Sequence, residues 1–259
     1  MKNIREMNKE RHEFAFFIES LSLLVQKNYP DNNIIVVDEK LCNRMMNVLR
    51  LCSGDQCIFF DRTMYIIAIV KAFVGKKQIH ILIKSAQSTI VLRPKITFLL
   101  PLLKRDDLES ALYALAEIGV NDIQLISTQK TVYQWSAYRD SERADKILIA
   151  AAEQSKNFAY PTLKAPIPLV EALQKYSEEE NSIKIFFDPA GRKFFDVMHM
   201  MHSNKPSVSV LLIGPEGDLS WEEKKIVEAH KFIFCALTPT VVRAVQATSL
   251  AAGFVRSLL

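Results

Sequence analysis

Ile213-Gly214-Pro215-Glu216-Gly217-Asp218-Leu219-Ser220-Trp221-Glu222-Glu223 is the stretch whose reading decides the fold. It follows the apolar run Val208-Ser209-Val210-Leu211-Leu212 and precedes a helical pattern, so it is a strand–loop–helix junction. Two of the chain's seven glycines fall in it. Glycine leaves room for a ligand that a Cβ would displace. Ser220 and Glu223 form the S-x-x-E pattern of a capping box, which predicts a helix start at Ser220. A short loop pinned at both ends, at the end of a strand, is where open α/β sheets bind ligands.

On either side of this junction the same rhythm recurs. Residues 96–100, 123–126, 183–187, 208–213 and 232–237 read as strands. Residues 106–118, 141–155, 169–176, the stretch from Ser220 and the stretch from about Val242 read as helices. Alternating strands and helices predict an α/β domain with a mostly parallel sheet. Its strand ends carry loop signals at Asp188-Pro189-Ala190-Gly191, Gly214-Pro215-Glu216-Gly217 and Thr238-Pro239-Thr240. In a parallel sheet these ends share one edge, so the loops could converge on one ligand.

Before residue 85 the pattern differs. Residues 34–37, 56–60, 65–70 and 78–83 are short apolar bursts separated by turns such as Ser53-Gly54-Asp55 and Gly75-Lys76-Lys77. Residues 39–51 read as one helix. Several strands around one helix predict a small β-barrel. The expected division is residues 1–84, a linker over 85–94, and residues 95–259; residues 1–10 read as polar and frayed.

With 259 residues, 49% apolar and 24% charged, the chain suits one large or two modest globular domains. No apolar run approaches the roughly 20 residues of a membrane span, and the first residues carry no apolar signal core. A cytoplasmic protein is the expectation. Cys42, Cys52, Cys57 and Cys235 form no C-x-x-C pair and read as reduced, mostly buried residues. His199 and His202 lack companion ligands, so an ordinary surface helix is favoured over a metal site. The net charge is +4, and residues 1–90 hold 13 Lys+Arg against 9 Asp+Glu, so the whole excess lies in the first third. That fits a polyanion partner there. Neither the dinucleotide fingerprint, the triphosphate P-loop nor the hydrolase G-x-S-x-G occurs.

Five segments in order carry a family resemblance over about residues 14–259. They are Met46-Asn47-Val48-Leu49-Arg50-Leu51 with Gly54-Asp55; Lys104-Arg105-Asp106 with Ala116-Glu117-Ile118-Gly119-Val120; Ala151-Ala152-Glu153-Gln154-Ser155; Ile213-Gly214-Pro215-Glu216-Gly217; and Leu237-Thr238-Pro239-Thr240-Val241-Val242-Arg243-Ala244. The chain resembles the bacterial uridine-N3 methyltransferases of small-subunit (16S) ribosomal RNA, in the knotted SPOUT superfamily. The resemblance implies a PUA-like RNA-binding domain, a trefoil-knotted C-terminal domain and a homodimer packed through its terminal helix. It implies S-adenosylmethionine enclosed by Phe187, Gly214, Pro215, Glu216, Gly217, Leu237, Thr238, Pro239 and Val242. Glu216 either acts electrostatically near the sulfonium, shapes its loop or contacts the cofactor. Arg243 is the first candidate to steady the uridine or its developing charge, against a phosphate or structural salt-bridge role. Gln154 either hydrogen-bonds substrate or braces a loop. Arg44, Arg50, Lys104 and Arg105 are candidates for holding the RNA backbone. No general base is evident. The chain departs from the family pattern at Ala114, Asn157, Thr240, Val245 and Gln246, mostly by loss of polar groups. An RNA- or ribosome-binding protein without catalysis, or a methyltransferase for another RNA, therefore stands beside the active enzyme.

Overall fold

The structure, a computed structural model, describes residues 13–28, 30–179 and 181–258. The polar stretch 1–10 lies outside the described residues. The chain divides into two compact units, 1–89 and 90–259.

In the first unit, strands β1 (Phe14–Phe17), β2 (Asn33–Val37), β3 (Gln56–Phe60), β4 (Met64–Val74) and β5 (Gln78–Ser88) form a sheet in the order β1-β3-β4-β5-β2. All pairings are antiparallel except β1 with β3. The expected barrel is an open sheet: β1 and β2 are its two edges and do not pair with one another. Helices do the closing instead. α1 (Leu21–Asn28) and α2 (Glu39–Asn43) send Leu21, Leu24, Val25, Leu41 and Cys42 into the same core as Phe16, Phe59, Ile66 and Ile81. The helix expected over 39–51 stops early. After α2 the chain widens into a π-helical turn, Arg44–Val48, in which the Leu49 N–H reaches back to the Arg44 carbonyl. That turn brings Leu49 and Leu51 against the core, and Arg50 then leaves the helical path at φ 56°. β5 continues to Ser88, through the first part of the stretch expected to be linker.

Asp61, 6% exposed, organises the start of α1 and the β3–β4 turn. Its carboxylate accepts from the N–H groups of Ser22, Thr63 and Met64 and from the Thr63 hydroxyl, at 2.7–2.9 Å. Burial opposes the charge, but these bonds outweigh it and hold the carboxyl at about 2, below the ordinary 3.8. A depressed acid stabilises the fold above its unfolded pKa, and that stability is lost as pH falls through the folded value. The shift corresponds to about 2 kcal/mol at neutral pH. Asp61→Ala should remove about that much, and should flatten the loss of stability between pH 4 and pH 2; acid titration of urea midpoints checks both.

The second unit holds β6 (Lys95–Pro101), β7 (Asp122–Ser127), β8 (Thr162–Pro168), β9 (Ser182–Lys193), β10 (Val208–Ile213) and β11 (Ile233–Ala236). The sheet order is β11-β9-β10-β6-β7-β8, and every pairing is parallel. Helices α3 (Arg105–Ile118), α4 (Arg139–Ser155), α5 (Leu169–Ser177), α6 (Phe194–Asn204), α7 (Trp221–Ala229) and α8 (Ala244–Ser257) connect and cover it. Strand residues alternate between faces. Leu99, Ile126, Phe186, Val210 and Leu212 meet Leu169, Leu173 and Tyr176 of α5 and Val227 of α7. α3 packs against α4 and α8, and α8 packs against β6 and β10. The α/β unit with a parallel sheet is as the pattern of residues predicts.

Two strands depart from that prediction. β8, unread in the sequence, carries Pro166 and Pro168 and is an edge strand. β9 does not end at Asp188-Pro189-Ala190-Gly191. It pairs with β11 through Phe186, loops out, and resumes at Arg192.

Among the described residues no helix is long and apolar enough to cross a membrane. No group of three or more His, Cys, Asp or Glu among them is placed to hold a metal ion. Cys42, Cys57 and Cys235 are buried and Cys52 is exposed; burial pushes the Cys235 thiol up to about 12. His199 and His202 are exposed on α6.

Candidate active-site cleft

The chain runs from β6 through β7 to β8 on one side of the sheet, while β9, β10 and β11 lie on the other side of β6. Such a reversal leaves a crevice at the carboxyl ends of the strands. Here it is a cleft of about 630 Å³, within the roughly 300–1,000 Å³ usual for ligand pockets. Phe187, Asp188 and Pro189 wall it from the looped-out part of β9. Ile213, Gly214, Pro215, Glu216 and Asp218 come from the end of β10, and Leu237, Thr238, Thr240, Val241 and Val242 from the end of β11. Lys104 and Asp107 come from the start of α3, and Arg243, Ala244 and Ala247 from the start of α8.

The β10–α7 loop is held on several sides. Ser220 caps α7 by accepting from the Glu223 N–H at 3.2 Å, and the Glu223 carboxylate accepts from the Ser220 N–H at 2.9 Å. The other Glu223 oxygen accepts from the Gln129 N–H at 2.8 Å, tying the helix start to the loop after β7. Lys130 Nζ donates to the Gly217 carbonyl at 2.7 Å. Glu216 Oε1 accepts from the Lys104 N–H at 2.8 Å, at the start of α3. An anion at a helix N-terminus compensates the exposed N–H groups and the dipole there. Glu216 is thus tied to the start of α3.

The terminal helix is anchored at its other end. Arg256 donates to the carbonyls of Pro94 and Gly119 at 2.9 and 2.6 Å and to Asn121 Oδ1 at 3.0 Å. Its start therefore has a fixed position, with exposed Arg243 at the cleft and its Nε donating to Gln246 Oε1 at 3.2 Å. Asn157 donates from Nδ2 to the Ala116 carbonyl at 2.8 Å, capping the end of α3. The Thr240 carbonyl accepts from the Thr238 hydroxyl at 2.5 Å within the β11–α8 loop.

Of the residues singled out in the sequence, Phe187, Gly214, Pro215, Glu216, Leu237, Thr238, Val242, Arg243 and Lys104 line this one cleft. Gly217 and Pro239 lie in its loops but not in its wall. Gln154 is exposed near the end of α4, outside the cleft. Arg105 points elsewhere, to Glu109 at 3.3 Å. Arg44 and Arg50 are exposed in the first unit, and the Arg44 guanidinium sits 5.4 Å from the Phe16 ring centre. Asp107 and Asp218 were missed. Only the topology, which sets the start of α3 beside the ends of β9 and β10, reveals Asp107.

The cleft suits an amphipathic ligand. Phe187, Ile213, Leu237, Val242 and Ala247 offer apolar walls, while Lys104 and Asp107 offer charges of both signs. Gly214 leaves a cradle that side chains would fill: a Cβ there would stand 3.0 Å from Asp218 Oδ1. The residues present fit S-adenosylmethionine, whose adenine has flat aromatic faces and a polar edge and whose amino-acid end is a zwitterion.

Proteins named ribosomal RNA small subunit methyltransferase E are similar in sequence. The one from Rickettsia conorii is 23% identical over 160 residues, and the one from Synechocystis 26% identical over 164. These matches take in 61% and 63% of this chain and span 62% and 54% of those relatives' own lengths. A crystal structure of the enzyme of that name from Neisseria gonorrhoeae, bound to S-adenosylmethionine, superposes with a TM-score of 0.79 at 23% identity. It covers 95% of this chain and 98% of that one. Residues 92–256, well over half of the sequence and the whole of the cleft, match the family model of the RNA methyltransferase domain, and the chain belongs to that family.

Proposed function

We propose that this protein transfers a methyl group from S-adenosylmethionine to N3 of a uridine in small-subunit (16S) ribosomal RNA. In this reading it works in the cytoplasm as a homodimer. The first unit is a PUA-like RNA-binding module, and the second is a trefoil-knotted catalytic domain. The observation that carries the reading is the cleft itself. Four loops of an RNA methyltransferase domain converge on one ligand-sized cavity, with Arg243 at its mouth. The relatives' name and the cofactor in the Neisseria structure supply the substrate and the methyl donor.

Gly214, Pro215, Glu216 and Gly217 would hold the cofactor from one side, and Leu237, Thr238, Pro239 and Val242 from the other. When bound, it supplies an electrophilic methyl group on a sulfonium. Phe187, Ile213 and Ala247 would exclude water from the cleft, which strengthens electrostatic contacts inside it. Arg243 steadies the uracil and the negative charge that grows on its carbonyl oxygen as N3 loses its proton. Asp107 lines the same cleft without a side-chain partner among the described residues, whereas Glu216 is bonded to the Lys104 N–H. It is the carboxylate available to accept the N3 proton. Arg44, Arg50 and Lys104 bind RNA phosphates, and the target base leaves its stack to reach the cleft.

Incubation with methyl-labelled S-adenosylmethionine and small and large ribosomal subunits from cells lacking the modification should place label in the small-subunit RNA and none in large-subunit RNA. A folded protein that binds both partners and transfers no label would instead be a binding protein on this scaffold.

A further inference from the structure

Lys224, the fourth residue of α7, is not part of the cleft wall, but it pairs with two carboxylates that are. Its Nζ lies 2.6 Å from Asp188 Oδ2 and 2.6 Å from Asp218 Oδ2. The two acids come from different strand ends, Asp188 from the looped-out part of β9 and Asp218 from the loop after β10. Asp188 is only 4% exposed, and a carboxylate that deep needs a partner. Its other oxygen accepts from the Ala190 N–H at 2.8 Å, while Asp218 Oδ1 accepts from the Leu219 N–H at 2.7 Å. Each acid is thus fixed to its own loop on one side and to Lys224 on the other.

Two features of this cluster run against local preference. A cation in the first turns of a helix opposes the macrodipole. Asp218 sits at φ 61°, the left-handed region that glycine occupies most easily. Strain of this kind persists only where the surroundings over-determine it, and it gathers at ligand clamps. Burial disfavours the charge on Lys224, yet its two carboxylates hold its pKa above the ordinary lysine value.

We propose that Lys224 is a positioning residue: the Asp188–Lys224–Asp218 clasp locks the β9 and β10 walls of the cleft at a fixed separation, so that the ligand meets a preformed site. The inference rests on the reading of that ligand as S-adenosylmethionine. Without the clasp the two loops sample open arrangements, and apparent affinity falls by the fraction of time the cleft is competent.

Three variants of the full chain test it: Lys224→Met, Lys224→Arg and Asp218→Gly. Calorimetric titration with S-adenosylmethionine should show a dissociation constant about tenfold higher for Lys224→Met, as expected if the cleft is competent about a tenth of the time. The maximal transfer rate at saturating cofactor should stay near that of the wild type, and Lys224→Arg should restore affinity. Asp218→Gly makes the backbone conformation easier, so its thermal midpoint should hold or rise while affinity falls as in Lys224→Met. A structural ion pair alone predicts lower midpoints with unchanged affinity, and that result overturns the proposal. Hydrogen exchange of the ligand-free protein gives an arm that does not depend on the cofactor. Amides of residues 187–191 and 214–219 should exchange faster together in Lys224→Met. If the wild type fails to bind S-adenosylmethionine, the cofactor reading falls and exchange alone judges the clasp; unchanged exchange in both segments refutes it.

Discussion

Gly191→Ala lowers the stability of the second unit by about 3 kcal/mol or more, at the upper end of overpacking costs. That corresponds to a fall of roughly 10 °C in the thermal midpoint for a unit of this size. A Cβ on Gly191 would stand 2.3 Å from Cys235 N, 2.4 Å from Phe234 C and 2.7 Å from Cys235 Cα. All three are backbone atoms of β11, which cannot swing aside as a side chain can. The register of β9 against β11 shifts between Phe234 and Cys235, so Gly191 passes β11 where the ladder is already interrupted. The loop that Gly191 closes carries Phe187, Asp188 and Pro189 into the cleft. The same substitution therefore weakens ligand binding as well as the fold. Thermal unfolding by circular dichroism, with a cofactor titration below the transition, measures both. An unchanged midpoint would mean that β9 and β11 do not pass this closely.

The second large effect is on rate. Arg243→Ala should slow methyl transfer by about 100- to 1,000-fold, the usual cost of removing one group aimed at developing charge. Cofactor affinity should hardly move, because the backbone loops that would hold it do not depend on that side chain. Arg243 flanks the start of α8 in an extended conformation, and α8 is anchored at its far end by Arg256. Truncating the side chain therefore leaves its carrier in place. Arg243→Lys keeps the charge but not the planar fork, and should recover only part of the rate. Asp107→Asn lowers the same rate constant at neutral pH by about a hundredfold or more if it takes the N3 proton. Its rate should then climb with pH, as uridine already ionised in solution replaces the missing base. Single-turnover assays at saturating cofactor separate these effects from binding. Equal losses in affinity and rate for Arg243→Ala would place that arginine on the cofactor or in the fold instead.

Local chemistry made much of the second unit legible. The Ser220–Glu223 capping box, Gly119 closing α3 and the apolar run before Gly214 each act within a few residues, and the structure has all three where the residues put them. β8 was not legible because its prolines argue against a strand, and only its place at the sheet edge makes them tolerable. The bulge in β9 was hidden for a different reason. Asp188-Pro189-Ala190-Gly191 looks like a strand terminus until β11 arrives to pair beyond it. In the first unit four of the five strands were readable and β1 was not, and whether the sheet closes depends on pairing between β1 and β2, which no local pattern specifies.

The site was legible to the extent that it is made of loops at strand ends. The loops at the strand ends were placed together by their sequence context, and the family resemblance added Phe187, Leu237 and Arg243; these share the cleft with Gly214 and Glu216. The bond from the Lys104 N–H to Glu216 spans 112 positions, and the Glu223 contact to the Gln129 N–H spans 94; neither leaves a trace in sequence spacing. Asp107 escaped notice because it stands among other charges at a helix start, where an exposed acid is the ordinary expectation. Gln154 stands outside the cleft of a single chain.

The most direct test of the central claim is the identity of the methylated nucleoside. Small subunits lacking the modification, treated with the protein and labelled S-adenosylmethionine, are digested and resolved by mass spectrometry. The account predicts label in N3-methyluridine, formed at one position and abolished in Arg243→Ala. Label in any other nucleoside, or N3-methyluridine formed equally well by Arg243→Ala, would contradict it.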